Sequence, residues 1–373
     1  MRGKIIVLFA LCVLLLSTAS CNVREKTGYA LPKFAVQEES CFEILGEELF
    51  GINATTDLIP YKEWLIVVAY NAVNKECLHV FDKEGKAVKS AVKIGRGPGE
   101  LLFPVNTSFD RDKGILTFFD NIGKKTLEID IREWVESGQI EEAILNEYRE
   151  LGYPTLSRLT PKGRMDFNGV LPLGKDNHQR FIYVDYSTND TLTFNSYPAS
   201  LSNDPWALFY LYDANTMMEM SPNGNKMVVC SNWCGILETF SIESEIEPIS
   251  ISYFIEPKYQ GDKNGGGMEL TDETVFAFSD IYVTDSLLFC GYDGESTQEA
   301  DRGTWFTKVA VFDWEGNPLK VIKTDKRIEQ IAIDDDGRIF ALISTRSGEV
   351  YLAMLPVYRT RDKAVPCLFV QKK

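Results

Sequence analysis

Many short β-rich runs separated by turn signals, two strand–turn patterns that recur along the chain, and a length that divides into propeller-blade units predict an all-β fold. The expected architecture is a six-bladed β-propeller of four-stranded antiparallel blades, preceded by a signal peptide and a short tether. The expected boundaries are a lipoprotein signal peptide at 1–20, a lipidated tether at 21–39 and the propeller at 40–373, with a short helix near 139–151.

The strand runs are WLIVVAY (64–70), CLHVFD (77–82), ILTFF (115–119), RFIYVDY (180–186), KMVVC (226–230), SLLFC (286–290), KVAVFD (308–313), RIFALI (338–343) and EVYLAML (349–355). Each has the β-branched and aromatic content of a strand and too little length for a helix. Between them stand residues that tolerate positive φ, as in DKG (112–114), NGN (223–225) and DG (336–337). One recurring pattern is a strand ending Phe-Asp, two residues, then Gly, at 81–85 and 312–316. The other is an apolar strand, an acidic or polar turn with Gly, and a second apolar strand, at 108–120, 220–231 and 332–343. About 320 residues follow the tether, enough for six or seven blades of roughly 40–50 residues each.

The blades are expected near 57–93, 100–135, 165–200, 208–255, 275–323 and 327–358, with residues 42–49 completing the last blade and closing the ring. The stretch QIEEAILNEYREL (139–151) carries apolar residues at helical spacing and is expected as a helix packed outside the propeller.

The leader has a positive start at Arg2 and Lys4, an apolar run over 5–16 and small residues before Cys21. That is a secretory signal, and its apolar run is too short to span a bilayer. Thr18-Ala19-Ser20 before Cys21 resembles a bacterial lipobox, in which the cysteine is acylated and becomes the mature N-terminus. Several acyl chains anchor a protein durably. Cys21 is therefore the expected lipidation site, with the membrane as a partner through the N-terminal lipid. The expected location is the cell envelope, periplasmic or on the outer surface.

The formal net charge is −15, and two of the basic residues fall in the leader, so the mature chain is more acidic still. Such a chain repels phosphate backbones, and no nucleic-acid partner is expected. The cysteines do not fit a zinc site. Cys230 and Cys234 form a single C-x3-C and are a candidate disulfide across the turn SNWCG. The two histidines, His79 and His178, form no triad with a nucleophile, and no GxSxG element is present. No catalytic residue, metal or cofactor is assigned. The acidic run Asp334–Asp336 before Gly337 lacks the spacing of a calcium loop and reads as a hairpin turn.

The sharpest local motif is GRGPGE at 95–100. Pro98 removes a donor and no Lys-Ser/Thr follows, so the motif is not a phosphate loop. Its glycines read as a backbone device, and Arg96, Gly97, Gly99 and Glu100 form a candidate ligand-binding loop. Trp206, Trp233 and Trp305 stand near polar turns as candidate rim aromatics. Asp190-Thr191-Leu192 and Asp285-Ser286-Leu287 resemble the short acceptor pattern of Bacteroidetes envelope O-glycosylation, which marks Thr191 and Ser286 as candidate sites.

Residues 92–131, with GRGPGE, a strand, an acidic Gly turn and an aromatic strand ending in Asp120, resemble the TolB-like six-bladed β-propeller family of Bacteroidetes lipoproteins. The preceding FDKEGK (81–86) fits as well. The resemblance implies the fold and an envelope location and offers no catalytic residues to carry over. The expected function is a ligand- or protein-binding scaffold whose partner is an envelope protein or a glycan. The alternative is an envelope hydrolase or lyase using acidic residues in the central funnel. Carboxylates converging there with Arg or Tyr would favour that alternative.

Overall fold

A computed structural model describes residues 24–25, 29–97, 99–102, 104, 106–120, 122–123, 125–138, 143–145, 156–167, 180–198, 216–261, 268–296 and 305–355. The strands form six antiparallel meanders of four, numbered here as blades I to VI. Their innermost strands are Ile52–Tyr61, Thr107–Asp110, Leu156–Leu159, Thr216–Met220, Val275–Val283 and the second half of Pro318–Ile333. That last strand serves two blades. Its first half pairs with Phe306–Asp313 at the outer side of blade V, and its second half pairs with Ile339–Ser344 as the start of blade VI.

The recurring sequence patterns occupy fixed places in the blades. The Phe-Asp-x-x-Gly pattern is the turn between the third and fourth strands of blades I and V. Asp82 accepts from the N–H groups of Glu84 and Lys86, and Asp313 accepts from that of Asn317. Gly85 sits in the left-handed region at φ 84°, against the backbone of Leu45 and Gly46, where a Cβ has no room. The acidic or polar Gly pattern is the turn between the first and second strands of blades II, IV and VI. Asp334 accepts there from the N–H groups of Asp336 and Arg338, so this acidic run is the expected hairpin turn.

The middle strands of a blade are covered on both faces by neighbouring blades. Trp64–Asn71 is therefore apolar almost throughout, with Leu65, Ile66, Val67 and Val68 fully buried, instead of alternating. The outermost strand Ala87–Lys93 meets solvent and is largely exposed. Glu43–Leu45 pairs antiparallel with Val350–Leu355 and supplies the fourth strand of blade VI, closing the ring from the N-terminal side as expected. An ion pair between Lys83 of blade I and Asp334 of blade VI reinforces the junction, at 3.3 Å.

Three expectations about the elements are corrected. The segment before the ring is not a free tether over its described part. Val36–Ser40 adds a parallel strand to the outer edge of blade V, and Arg24–Glu25 pairs in parallel with the outer strand of blade IV. Phe34 packs edge-on against Phe312 and Tyr292, and Tyr29 against Tyr253, so apolar contact holds this segment down. The helix expected over 139–151 is interrupted by a strand at Ala143–Leu145, which pairs with the third strand of blade II. The rest of that stretch lies outside the described residues. Among the described residues of this region the helix is Ile131–Ser137, capped by the Asp130 side chain accepting from Glu133 N–H. Finally, blade III begins at Leu156, earlier than residue 165.

Candidate functional site

The C-terminal halves of the six innermost strands converge on the propeller axis and enclose a cavity of about 390 Å³. Every blade places at least one polar side chain on its wall, and one from each is Asp57, Thr107, Arg158, Glu219, Asp280 and Gln330, from I to VI. These strands are less apolar than the middle strands because their inner edge faces the axis instead of another blade.

Arg158 joins three blades. Its Nε donates to Glu219 Oε1 of blade IV at 2.7 Å, and its Nη1 donates to Asn106 Oδ1 and the Thr107 carbonyl of blade II, both at 3.2 Å. Thr107 donates through its hydroxyl to the Asp57 carboxylate of blade I. Across the axis, Asp280 Oδ2 accepts from the Ile331 N–H of blade VI at 2.7 Å. Tyr282 donates to the Ile333 carbonyl at 2.6 Å, and Arg111 donates to the Tyr282 hydroxyl and the Pro60 carbonyl. Gln330 is nine-tenths buried, and its Oε1 has no hydrogen-bond partner. A buried acceptor without a partner is costly, and Gln330 is one of the residues that line the cavity.

Burial pushes the Asp57 carboxyl up to about 6, against the Arg158 charge and the Thr107 hydrogen bond. Burial pushes Asp280 up to about 8, against two backbone N–H donors and with the charges of Asp57 and Glu219 adding to the rise. Burial thus favours the neutral form of Asp280 more strongly than that of Asp57.

The candidate loop lies elsewhere. GRGPGE connects blade I to the N-terminal end of the innermost strand of blade II, whereas the cavity gathers the C-terminal ends, and none of its residues lines the wall. Arg96 is exposed. Gly99 has φ 68°, as a backbone device requires, and Gly97 does not share that conformation. Glu100 turns back under the loop, and its carboxylate accepts from Gly97 N–H at 2.7 Å. A Cβ on Gly95 would collide with that carboxylate.

Trp233 packs partly buried near Cys234 and Tyr253, and Trp305 carries the Arg327 guanidinium over its ring at 4.2 Å. Neither lines the cavity. Trp206, His178 and Cys21 lie outside the described residues. The Cys230–Cys234 bridge is not formed. Cys230 is buried in the core between blades IV and V, and Cys234 is buried in a separate apolar cluster beyond the turn. His79 is buried, hydrogen-bonded to Ser90 Oγ and the Ala69 carbonyl, and its pKa is lowered by burial. Thr191 and Ser286 are exposed, the first at the start of an outer strand and the second in a hairpin turn.

The six wall residues were missed because no two are close in sequence. Their one signal is a polar residue in an otherwise strand-like run, returning at intervals of roughly 50–60 residues.

The fold has solved counterparts. A protein described as exported, from Bacteroides fragilis, aligns with a TM-score of 0.53 at 12% identity, covering 87% of this chain and 99% of its own. A member of the DUF4221 family from Bacteroides vulgatus aligns with a TM-score of 0.56 at 11% identity, covering 86% of this chain and 97% of its own. At these identities the likeness shows the fold alone. No curated protein matches the chain in sequence. A family profile described as TolB-like 6-blade propeller-like matches residues 61–336, which takes in part or all of every blade, and the chain belongs to that family.

Proposed function

We propose that this protein is an exported, membrane-anchored lipoprotein of the cell envelope whose propeller binds a ligand in its axial cavity. The observation that carries the binding reading is the cavity itself. It is walled by all six blades, lies within the range of small-ligand sites, and leaves Gln330 Oε1 without a partner. The ligand is a small molecule or a terminal group of an envelope glycan or protein. A thermal-shift panel of envelope glycans and small metabolites tests this. Stabilisation by at least one compound, lost in Gln330→Leu, supports the reading, and stabilisation that is unaffected by Gln330→Leu and other wall substitutions overturns it.

Export and anchoring rest on the leader, the small residues before Cys21 and the description of a solved structural relative as exported. Fatty-acid labelling and membrane fractionation should both be lost in Cys21→Ala. The exposed Thr191 and Ser286 are proposed O-glycan acceptors, and intact-mass measurement on the native protein checks them.

One observation favours a second reading as a hydrolase or lyase. Asp57, Glu219 and Asp280 converge on one cavity with Arg158 and Tyr282, and burial raises Asp280 further than Asp57. A protonated carboxyl beside an ionised one can serve as general acid and general base. Turnover of a bound glycan that Asp280→Asn abolishes while binding persists would establish it. Binding without turnover leaves the scaffold reading.

A further inference from the structure

The cavity wall is strongly unbalanced in charge. Six carboxyl groups, from Asp57, Asp110, Asp112, Glu219, Asp280 and Asp335, stand against two arginines, with Asp110 also paired to Lys113 at 3.0 Å. Both arginines are already committed to protein acceptors, Arg158 to Glu219 and Asn106, Arg111 to Pro60 and Tyr282. The Gln330 oxygen is an acceptor without a donor. Such a wall disfavours an anion and asks for positive charge carried on N–H donors.

Resting on the binding reading above, we propose that the axial cavity takes an organic ammonium group, held by the Asp280 carboxylate, with the unpartnered Gln330 amide turning its oxygen to the ligand as the second acceptor. A bare divalent ion fits less well, because among the described residues no three His, Cys, Asp or Glu side chains are placed to hold a metal. A free amine and a lysine side chain carried on a peptide share the required chemistry.

Entry of the cation converts neutral Asp280 to its carboxylate and releases the proton to solvent. The titratable neighbours of Asp280 are Asp57, Glu219, Cys230 and Cys290. Burial pushes both thiols up, so they stay neutral, and Tyr282 is likewise pushed up. Burial raises the empty-site affinity of Asp280 for its proton, and an ammonium ion lowers it. Binding should therefore strengthen as pH rises from 6 to 8.

The test is calorimetric titration of the mature protein with an isosteric five-carbon series: cadaverine, 1,5-pentanediol and glutarate. Acetyl-Gly-Lys-Gly-amide serves as the peptide-borne probe. Titrations at pH 7 in phosphate and in HEPES, neither of which carries a primary ammonium group, read proton release from the difference in heat. The expected result is binding of an ammonium probe alone, with protons released and affinity reduced on the order of tenfold or more in Asp280→Asn and in Gln330→Leu. Binding by cadaverine points to a free amine, and binding by the peptide alone points to a protein-borne lysine. Both support the inference. Gln330-dependent binding of pentanediol or glutarate, or of calcium or magnesium in place of the amines, overturns the inference and leaves the cavity reading standing. Silence of both ammonium probes overturns it too, while the cavity reading is judged separately by the glycan and metabolite panel. If Asp280→Asn does not fold, Gln330→Leu carries the comparison.

Discussion

At the Asp280 carboxyl, burial outweighs the two backbone N–H groups that favour the charge, and the fold holds the proton up to about pH 8. The ordinary value for such a group is 3.8. Because the native state binds this proton more tightly than the unfolded chain, its stabilising contribution is fully present below about pH 4. It is lost as pH rises through about 8. Asp57 acts in the same direction with a window ending near 6. The melting temperature should therefore fall between about pH 4 and 8, and Asp280→Asn should flatten the part of that fall above about pH 6. Parallel profiles for wild type and variant would show that Asp280 is ionised throughout. A second residue-scale expectation concerns GRGPGE. Glu100 closes the loop from within, so Glu100→Ala should cost about 1 kcal/mol, whereas exposed Arg96→Ala should cost about 0.5 kcal/mol or less. Gly99→Val, forced into positive φ, should cost about 1–3 kcal/mol. Denaturant titration of the three variants gives the order.

Between elements, a fully buried ion pair joins blades III and IV. Arg180 and Glu238 are both buried, with two guanidinium nitrogens facing the two carboxylate oxygens. The guanidinium also lies over the rings of Phe181 and Tyr197, and Nη1 donates to the Ser196 carbonyl at 2.8 Å. Removing one partner leaves the other charge buried, a loss of about 3–5 kcal/mol. Glu238→Leu should therefore destabilise far more than Arg132→Ala, whose ion pair with Glu136 is exposed. Equal losses in chemical denaturation would mean that water reaches Arg180. The stretch 139–151 shows the same priority of tertiary over local preference. Its spacing suits a helix, but the third strand of blade II presents an unpaired ladder edge, and Ala143–Leu145 fills it.

On the scale of the whole molecule, the ring is completed by residues from its two ends. The N-terminal segment covers the outer edges of blades IV and V, packs Phe34 on their aromatic cluster, and ends as the fourth strand of blade VI. Deleting residues 29–45 should open the edge of Val350–Leu355 and uncover Phe312. The expected outcome is a lower melting temperature and concentration-dependent oligomers in size-exclusion chromatography. A monomer that melts at the wild-type temperature would show that the ring holds without this strand.

The amino-acid sequence by itself determined what depends on local pattern. Short β-branched and aromatic runs, Gly turns and the repeated Phe-Asp-x-x-Gly hairpin specify short antiparallel strands, their number specifies the blades, and the small residues before Cys21 specify an expected anchor. The tertiary structure alone decided what depends on meeting across the axis. Asp57, Arg158, Glu219, Asp280 and Gln330 are each ordinary polar residues in separate strands, and ring closure makes them one wall. It also decided that the polar segment at 36–40 is a strand, since edge pairing is a property of the partner, and that Cys230 and Cys234 face different cores. The physical reason is common to all of these. Hydrogen-bonded turns and side-chain periodicity act over a few residues and can be read along the chain, whereas desolvation, charge convergence and edge pairing arise only when distant strands are brought together.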